Sequence, residues 1–222
     1  MRGRFISFEG GEGTGKSTHA KLLAERLRAA GTQVVLTREP GGSPGAEIIR
    51  HVILSGAAKP LGAEAETMLF ASARDDHLRT TIRPALANGA WVLSDRFADS
   101  TRVYQGIVGE VDLRLIQGLE RITVGETKPD LTFVLDVPAE VGISRAGERR
   151  GALGPDRFEG EALEFHQKLR AGFRALAESE PDRCVLIDAT APRTKVAAQI
   201  WSVVEARLRK AAAAPTVGEA AP

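Results

Sequence analysis

A glycine-rich segment at residues 10–17 carries the clearest chemical pattern in the sequence. It reads GGEGTGKS, matches G-x-x-x-x-G-K-S, and lies between a strand-like apolar run and a helical pattern. Glycines let backbone N–H groups turn inward around phosphate oxygens, and the start of the next helix adds partial positive charge. The segment predicts a nucleoside triphosphate site with the ATP-binding residues Gly10, Gly11, Glu12, Gly13, Thr14, Gly15, Lys16, Ser17 and Thr18.

Two side chains at the end of this loop have separate predicted tasks. Lys16 is expected to reach the outer phosphates, and the Ser17 hydroxyl is placed for Mg²⁺. A regulatory GTPase would also need an Asn-Lys-x-Asp base reader, but the only asparagine is Asn88, which Gly89 follows. The pattern therefore favours a kinase acting on a small anionic acceptor.

A basic stretch at residues 145–160 fits the same interpretation. Glycines and a proline alternate there with four arginines, Arg145, Arg149, Arg150 and Arg157. This composition predicts a short mobile lid rather than a domain boundary. Kinases close such lids to exclude water from the triphosphate.

Charged residues follow two further strand-like runs. Arg38 ends the second run, before Glu39-Pro40-Gly41, and Asp95-Arg96-Phe97 ends the third. Ligands collect at the carboxyl ends of strands in an open α/β sheet, so Arg38 is expected at the site. Asp95 would lie beside the Mg²⁺ position and Arg96 beside the phosphates. The alternative for these two residues is an ordinary acidic and basic pair on the surface.

Phe70 and Arg74 are four residues apart in a segment, 63–87, that is predicted to be one long helix, so they share a face. A ring and a planar donor on one face could stack on a base and bond its edge. The alternative is a core phenylalanine beside an arginine whose charged end extends to water.

Several motifs in order resemble those of bacterial thymidylate kinases with arginines in the lid. They are Phe8-Glu9-Gly10 leading into the phosphate loop, residues 37–42, Phe70-x-x-x-Arg74, Asp95-Arg96-Phe97, Ser100-Thr101, Tyr104-Gln105-Gly106 and the arginine-rich lid. The resemblance covers residues 4–190, most of the chain. It implies a homodimer that transfers the γ-phosphoryl group of Mg²⁺-ATP to dTMP, giving dTDP and ADP, for dTTP synthesis.

The resemblance also implies a set of acceptor residues. Phe70 would stack on thymine, Arg74, Thr101 and Gln105 would read its edge, and Tyr104 would lie against the sugar. Glu12 would accept a hydrogen bond from the 3′-hydroxyl; the alternative for it is a solvated loop carboxylate. The predicted substrate-binding residues are Glu12, Arg38, Pro40, Arg50, Phe70, Arg74, Arg96, Ser100, Thr101, Tyr104 and Gln105.

Position 13 separates two forms of this family. Some relatives carry an arginine directly after the acidic loop residue, where this sequence has Gly13. Where that arginine is missing, the resemblance implies that lid arginines supply the charge. The predicted catalytic residues are Lys16, Arg96, Arg149 and Arg150, with Arg157 as a further candidate, and the predicted Mg²⁺ residues are Ser17 and Asp95.

Two other functions remain open at this point. One is another nucleoside monophosphate or deoxynucleoside kinase on the same scaffold, because only the pocket residues separate these enzymes. The other is a catalytically silent nucleotide-binding protein. The presence of all four residues expected at the phosphates and the metal argues against it: Lys16, Ser17, Asp95 and Arg96.

Five short apolar runs must position these residues, at 4–9, 33–38, 91–95, 131–137 and 184–188. Segments with helical period separate them, a pattern typical of a parallel sheet covered on both faces. We therefore expect an α/β protein of the P-loop kinase fold: a five-stranded parallel sheet flanked by helices on both faces, with a short basic lid. One domain would span residues 1–210, and the Ala- and Pro-containing tail at 211–222 would be disordered.

The composition of the chain limits its possible binding partners and location. The 222 residues include 30 Lys and Arg against 29 Asp and Glu, so no basic excess predicts binding to nucleic acid or to a membrane surface. Cys184 is the single cysteine, and no apolar run is long enough to span a bilayer, so we expect a cytoplasmic enzyme. Apolar positions in helices at 63–87 and 111–124 could form the seam of a homodimer. The four histidines lack metal-site spacing and are expected at the surface or an interface: His19, His51, His77 and His166.

Overall fold

The computed structural model of the chain describes residues 2–150 and 158–209, without the side chains of Arg149 and Arg150. Its centre is a five-stranded sheet in which each strand pairs in parallel with its neighbours. The strand order is β2-β3-β1-β4-β5. The strands are β1 (Phe5–Glu9), β2 (Val34–Arg38), β3 (Trp91–Asp95), β4 (Leu131–Asp136) and β5 (Cys184–Asp188).

Helices connect the strands and cover both faces of the sheet, as the continuous apolar strands predicted. They are α1 (Lys16–Ala29), α2 (Pro44–Leu54), α3 (Ala63–His77), α4 (Arg83–Ala87), α5 (Ala98–Thr101), α6 (Leu113–Thr123), α7 (Ala139–Arg150), α8 (Leu163–Ser179) and α9 (Arg193–Val204). A 3-10 turn occupies Lys59–Leu61, and π-helical turns occupy Leu78–Ile82, Arg102–Val108 and Glu205–Arg209. Among the described residues, no helix is both long and apolar enough to cross a bilayer.

The segment at 63–87 differs from the single helix that its periodicity predicted. It is helical throughout, but a π-helical turn at Leu78–Ile82 separates α3 from α4. Pro84 lies at the start of α4, and its ring has no N–H for the carbonyl four residues earlier. The loss of that bond explains why the α-helical register is interrupted here.

Alternate residues of β1 face opposite layers of the core. Ile6 and Phe8 pack with α1 and α9 on one face, and Phe5 packs with Leu78 and Phe97 on the other. Cys184 is buried in β5, as expected for a small apolar residue. The carboxyl ends of β1, β2 and β3 meet at one edge of the sheet, where ligands collect in an open α/β sheet.

Truncation of a side chain in the core layer of Ile6 and Phe8 tests this packing. Phe133 on β4 is fully buried, and its ring centroid lies 5.4 Å from that of Phe8. We expect Phe133→Ala to lower the free energy of unfolding by about 3–5 kcal/mol, because it removes apolar contacts and leaves a cavity. Urea denaturation measures the change. Glu25→Ala on the exposed face of α1 is the control and should stay within about 0.5 kcal/mol; an equal loss in both variants would contradict the assigned core.

Candidate active site

A cleft of about 260 Å³ opens at the carboxyl ends of β1, β2 and β3. The structure brings together in its lining all eleven residues predicted to bind an acceptor, and Lys16, Ser17 and Asp95 with them. It also adds residues that the sequence reasoning missed: Glu39, Leu54, Phe97, Phe158 and Glu159. The predicted phosphate, metal and acceptor residues therefore belong to one continuous site.

The phosphate loop joins β1 to α1 as its pattern predicted. Gly15 precedes the helix with a φ of 92°, a left-handed conformation that glycine adopts readily. Lys16 turns back over the loop, and its Nζ donates a hydrogen bond to the Gly11 carbonyl oxygen at 2.6 Å. Ser17 and Thr18 follow at the exposed start of α1.

The environment of Lys16 disfavours its charged form in the absence of a bound anion. Burial and the Arg96 guanidinium lower the pKa of Lys16 to about 8, against the opposing effect of the Glu12, Asp95 and Glu9 carboxylates. A bound phosphate would restore the pKa of this ammonium, because an adjacent anion favours the charged form.

The loop is packed directly against α7 through two glycines. A Cβ atom added to Gly13, where φ is 64°, would lie 2.0 Å from the Gly142 carbonyl oxygen. A Cβ atom added to Gly142 would lie 2.4 Å from the Glu12 carbonyl oxygen. Any side chain at either position would therefore force the loop and the helix apart.

Ser17 and Asp95, the two residues predicted to hold Mg²⁺, meet at the mouth of the loop. The Ser17 hydroxyl donates a short hydrogen bond to Asp95 Oδ2. One hydroxyl and one carboxylate suit Mg²⁺, which takes oxygen ligands and completes its shell with water and substrate phosphates. Within residues 2–150 and 158–209, no cluster of three or more histidine, cysteine or acidic residues offers an all-protein metal cage.

The Arg96 guanidinium donates hydrogen bonds to four groups around the cleft. Its φ of 71° is a left-handed backbone conformation that is uncommon outside glycine. Nη1 donates to the Gly10 carbonyl oxygen at 3.1 Å and to Ser100 Oγ at 3.2 Å, and Nη2 donates to Glu12 Oε1 at 2.6 Å. The surface-pair alternative for Arg96 is therefore wrong.

Tyr104 closes this cluster from the other side. Its hydroxyl donates to Glu12 Oε1 at 2.7 Å and accepts from Arg96 Nη2 at 2.9 Å. Burial opposes the ionisation of Glu12, but Arg96, Lys16 and Tyr104 outweigh it and lower the pKa of the Glu12 carboxyl to about 2. Glu12 is therefore an anion at the centre of a hydrogen-bonded cluster, and the solvated-loop alternative is wrong.

Glu9 lies beneath Arg96 and is fully buried. Its two oxygens accept hydrogen bonds from the Phe97 backbone N–H at 2.7 Å and from Ser100 Oγ at 2.6 Å. Burial and the nearby Asp99 carboxylate raise the pKa of Glu9 to about 8, although those hydrogen bonds and the Arg96 charge act in the opposite direction.

Arg38 and Arg50 line the outer part of the cleft near Pro40. Both Glu47 carboxylate oxygens accept from Arg38 Nη2 at 3.0 Å. Arg50 Nη1 donates to the Pro40 carbonyl oxygen at 2.6 Å. Arg38 is about half exposed, so an incoming anion competes with a solvent-screened carboxylate.

Phe70 and Arg74 share the opposite wall, as their four-residue spacing predicted. The Phe70 ring is half-buried, with its centroid 6.2 Å from that of Phe158. Arg74 is only 5% exposed, so its guanidinium does not extend to water and the surface alternative is wrong. Its Nη2 donates to Thr101 Oγ1 at 3.0 Å. Gln105 is buried in the same lining.

The lid prediction lies largely outside the described residues. Residues 145–150 form the end of α7, and Arg145 donates from Nη1 to the Ala189 carbonyl oxygen at 3.1 Å. The segment 151–157, which includes Arg157, is not described, and neither are the side chains of Arg149 and Arg150 or the tail at 211–222. The roles predicted for these residues stay predictions.

The expectation that the histidines lie at the surface or an interface is wrong for three of them, because they are buried within the chain. His19, His77 and His166 are 6%, 0% and 4% exposed, and only His51 is on the surface. His77 faces Glu39 on the wall of the cleft, with its Nδ1 3.1 Å from Glu39 Oε1. The three-residue spacing of Arg74 and His77, which places both on one helix face, is the signal that could have found this contact.

The chain is similar to proteins of one family over nearly its whole length. The family model described as "Thymidylate kinase" matches residues 8–200. A thymidylate kinase of Nitrobacter winogradskyi is 60% identical over 220 residues, which cover 99% of this chain and 96% of that protein. A thymidylate kinase of Rhodopseudomonas palustris strain BisB18 is 64% identical over 208 residues, 93% of this chain and 90% of that protein.

A solved structure agrees with the fold. The crystal structure of thymidylate kinase from Ehrlichia chaffeensis superposes with a TM-score of 0.73 at 32% identity. The match covers 92% of this chain and 99% of that one.

The raised pKa of Glu9 predicts how stability depends on pH. Between about pH 4.5 and 8 the folded protein holds a proton on Glu9 that the unfolded chain has lost, so the free energy of unfolding falls as the pH rises. Glu9→Gln removes this titration. We therefore expect the stability of the wild type relative to Glu9→Gln to fall as the pH rises from about 4.5 to about 8.5. Urea unfolding across this range measures it, with exposed Glu25→Gln as the control. A difference that stays constant with pH would contradict the assignment.

Proposed function

This chain belongs to the thymidylate kinase family and phosphorylates dTMP to dTDP with ATP, and we propose that it does so in the cleft at the carboxyl ends of β1, β2 and β3. One observation supports the proposal: Lys16 and Ser17 of the phosphate loop line the same cleft as every residue that the family resemblance assigns to the acceptor. Glu39, Phe70 and Arg74 also line this cleft.

The proposed donor site is the phosphate loop. Its backbone N–H groups and Lys16 would hold the phosphates of ATP, and the lowered pKa of Lys16 supports this because the ammonium gains most from an adjacent anion. Ser17 and Asp95 would hold Mg²⁺, directly or through water. Bound there, the ion would neutralise charge on the donor phosphates and keep them in a fixed orientation.

The proposed acceptor site needs no general base. The second pKa of a phosphate monoester is about 6, so the dTMP phosphate is largely a dianion at neutral pH and can attack without losing a proton. The task of the chain is to align two polyanions and to offset their repulsion. Arg38, Arg50 and Arg96 would hold the acceptor phosphate, and all three line the same cleft.

The sugar and base would occupy the enclosed end. Glu12, ionised and fixed by Arg96 and Tyr104, would accept a hydrogen bond from the 3′-hydroxyl. Tyr104 would lie against the sugar, and Ser100 would line the path from phosphate to sugar. Phe70 would stack on the thymine ring, and Arg74, Thr101 and Gln105 would bond its edge.

Three further parts of the proposal are the cytoplasmic location, the homodimer and the lid, and the last two rest on the family resemblance. The enzyme would act in the cytoplasm as a homodimer, and exposed apolar side chains on two helices support the dimer. Met68 on α3 is 47% exposed and Ile122 on α6 is 77% exposed. Arg149 and Arg150 of the lid would supply the charge that Gly13 does not.

A panel of acceptors tests the substrate. Release of ADP is measured with purified protein, Mg²⁺-ATP and, in parallel, dTMP, dUMP, dCMP, dGMP or AMP. We expect the highest kcat/KM with dTMP, because Phe70 and Arg74 would bind a pyrimidine whose edge offers carbonyl oxygens. A preference for another nucleotide would overturn the substrate, and bound ATP without transfer to any acceptor would indicate a silent binding protein.

The lid assignment has its own test. We expect Arg149→Ala combined with Arg150→Ala to lower kcat by roughly 10³ with a modest change in dTMP affinity, because a positioned arginine acts on charge in the transition state. Steady-state kinetics measure kcat, and dTMP titration measures affinity. A matched double variant, Arg28→Ala with Arg207→Ala, removes two exposed arginines outside the cleft and should leave kcat unchanged. An unchanged kcat in the lid variant would overturn the assignment.

A further inference from the structure

A buried carboxylate lies on the wall of the cleft where the base is proposed to bind. Glu39 directly follows β2 and is 6% exposed, and its neighbours Arg74 and His77 are 5% and 0% exposed. Glu39 Oε2 accepts a hydrogen bond from Arg74 Nε at 2.8 Å. Glu39 Oε1 lies 3.1 Å from His77 Nδ1. A carboxylate can only accept hydrogen bonds, so His77 is the donor in this contact.

Such a group persists in the interior only when it is paired. An isolated carboxylate taken out of water is strongly destabilising, and so is an isolated guanidinium. Glu39 and Arg74 each supply the partner that the other needs, at a distance typical of charge-assisted hydrogen bonds. The pair also cancels its own charge, so this wall differs from the end of the cleft that Lys16 and Arg96 line.

Hydrogen bonds from Thr37, Phe97 and Thr101 limit the movement of the side chains around Glu39 and Arg74. His77 Nε2 and Thr37 Oγ1 on β2 share a hydrogen bond of 2.7 Å. On the far side, Arg74 Nη2 donates to the Phe97 carbonyl oxygen at 3.3 Å and to Thr101 Oγ1 at 3.0 Å. The guanidinium is therefore held at Nε and at Nη2, and a rotation about its last bonds would break these contacts together.

Only Nη1 of Arg74 is left for a ligand. In the hydrogen bonds described for residues 2–150 and 158–209, Nε and Nη2 have partners and Nη1 has none. Because a guanidinium has donors and no acceptor, Nη1 can bond a carbonyl oxygen and cannot bond an amino group. A mobile arginine could turn away from an amino group, but a fixed one leaves two donors facing each other.

We propose that Glu39 is a positioning residue that fixes Arg74 through its Nε and so makes the cleft select pyrimidines with a carbonyl group at ring position 4 over those with an amino group. This role rests on the proposed dTMP site. Buried polar groups that would be left unpaired by the wrong ligand give large discrimination, whereas flexible ones give little. His77 bonds Glu39 and Thr37 bonds His77, so both side chains would act on Arg74 through Glu39.

Steady-state kinetics of Glu39→Gln with dTMP and dCMP test the proposal. The amide keeps the shape of the side chain, but it loses the charge and one of the two acceptors. We expect KM for dTMP to rise roughly tenfold or more with kcat much less affected, and the ratio of kcat/KM for dTMP over dCMP to fall roughly tenfold or more. Glu39→Asp, which keeps the charge, should recover part of that ratio.

Two variants separate positioning from general destabilisation. Asp130→Asn removes a partly buried carboxylate that pairs with Arg4 at the opposite edge of the sheet, 3.1 Å from its Nη1. It should lower stability without changing the dTMP-to-dCMP ratio. Thr37→Val keeps its volume and breaks only the outer contact with His77, so it should shift the ratio in the same direction as Glu39→Gln by a smaller factor, even if Glu39→Gln folds poorly.

A measurement without turnover completes the test. In the wild type the Arg74 Nε–H is expected to exchange slowly with solvent and to give a distinct side-chain signal in ¹⁵N NMR, which Glu39→Gln should abolish and Asp130→Asn should retain. A wild type inactive on dTMP would overturn the proposed function before any variant is made. An active wild type whose dTMP-to-dCMP ratio is unaltered in folded Glu39→Gln, or altered equally in Asp130→Asn, would overturn the role of Glu39 alone.

Discussion

The site depends on the position of one guanidinium, that of Arg96. It lies where three strands end, and its backbone adopts a left-handed conformation that a non-glycine residue holds only when the surroundings impose it. Glu9 restrains this backbone by accepting a hydrogen bond from the N–H of the next residue, Phe97. Glu12, Ser100 and the Gly10 carbonyl oxygen hold the Arg96 side chain. Because of this, the phosphate loop and the end of β3 are one unit, and a change in either moves the other.

Charge is distributed unevenly along the cleft. Four basic residues, Lys16, Arg38, Arg50 and Arg96, line the cleft together with the Glu12 and Asp95 carboxylates, whereas Glu39 neutralises Arg74 on its wall. A nucleoside monophosphate likewise carries its negative charge at one end, on the phosphate, and a neutral base at the other. The near equality of basic and acidic residues in the whole chain hides this gradient, because it is a property of position and not of composition.

Much of the architecture could be predicted because it follows from burial. The strands covered on both faces appear in the sequence as apolar runs, and the predicted and observed ends agree within about one residue. The site residues at strand ends and on the phosphate loop could be predicted for the same reason. Periodicity does not reveal a break such as the π-helical turn at Leu78–Ile82, and it does not reveal the pairing of Glu39 with Arg74 and His77. That pairing joins residues 35 and 38 positions apart, and only the packing of α3 against the end of β2 brings them together.

The contact between Gly13 and Gly142 has a consequence for how this family can diversify. A side chain at position 13 would need the space that the α7 backbone occupies, because its first carbon would lie 2.0 Å from the Gly142 carbonyl oxygen. A single substitution at position 13 therefore cannot add a charge to the phosphate loop unless α7 moves as well, and a paired change in the loop and in α7 is the shorter route.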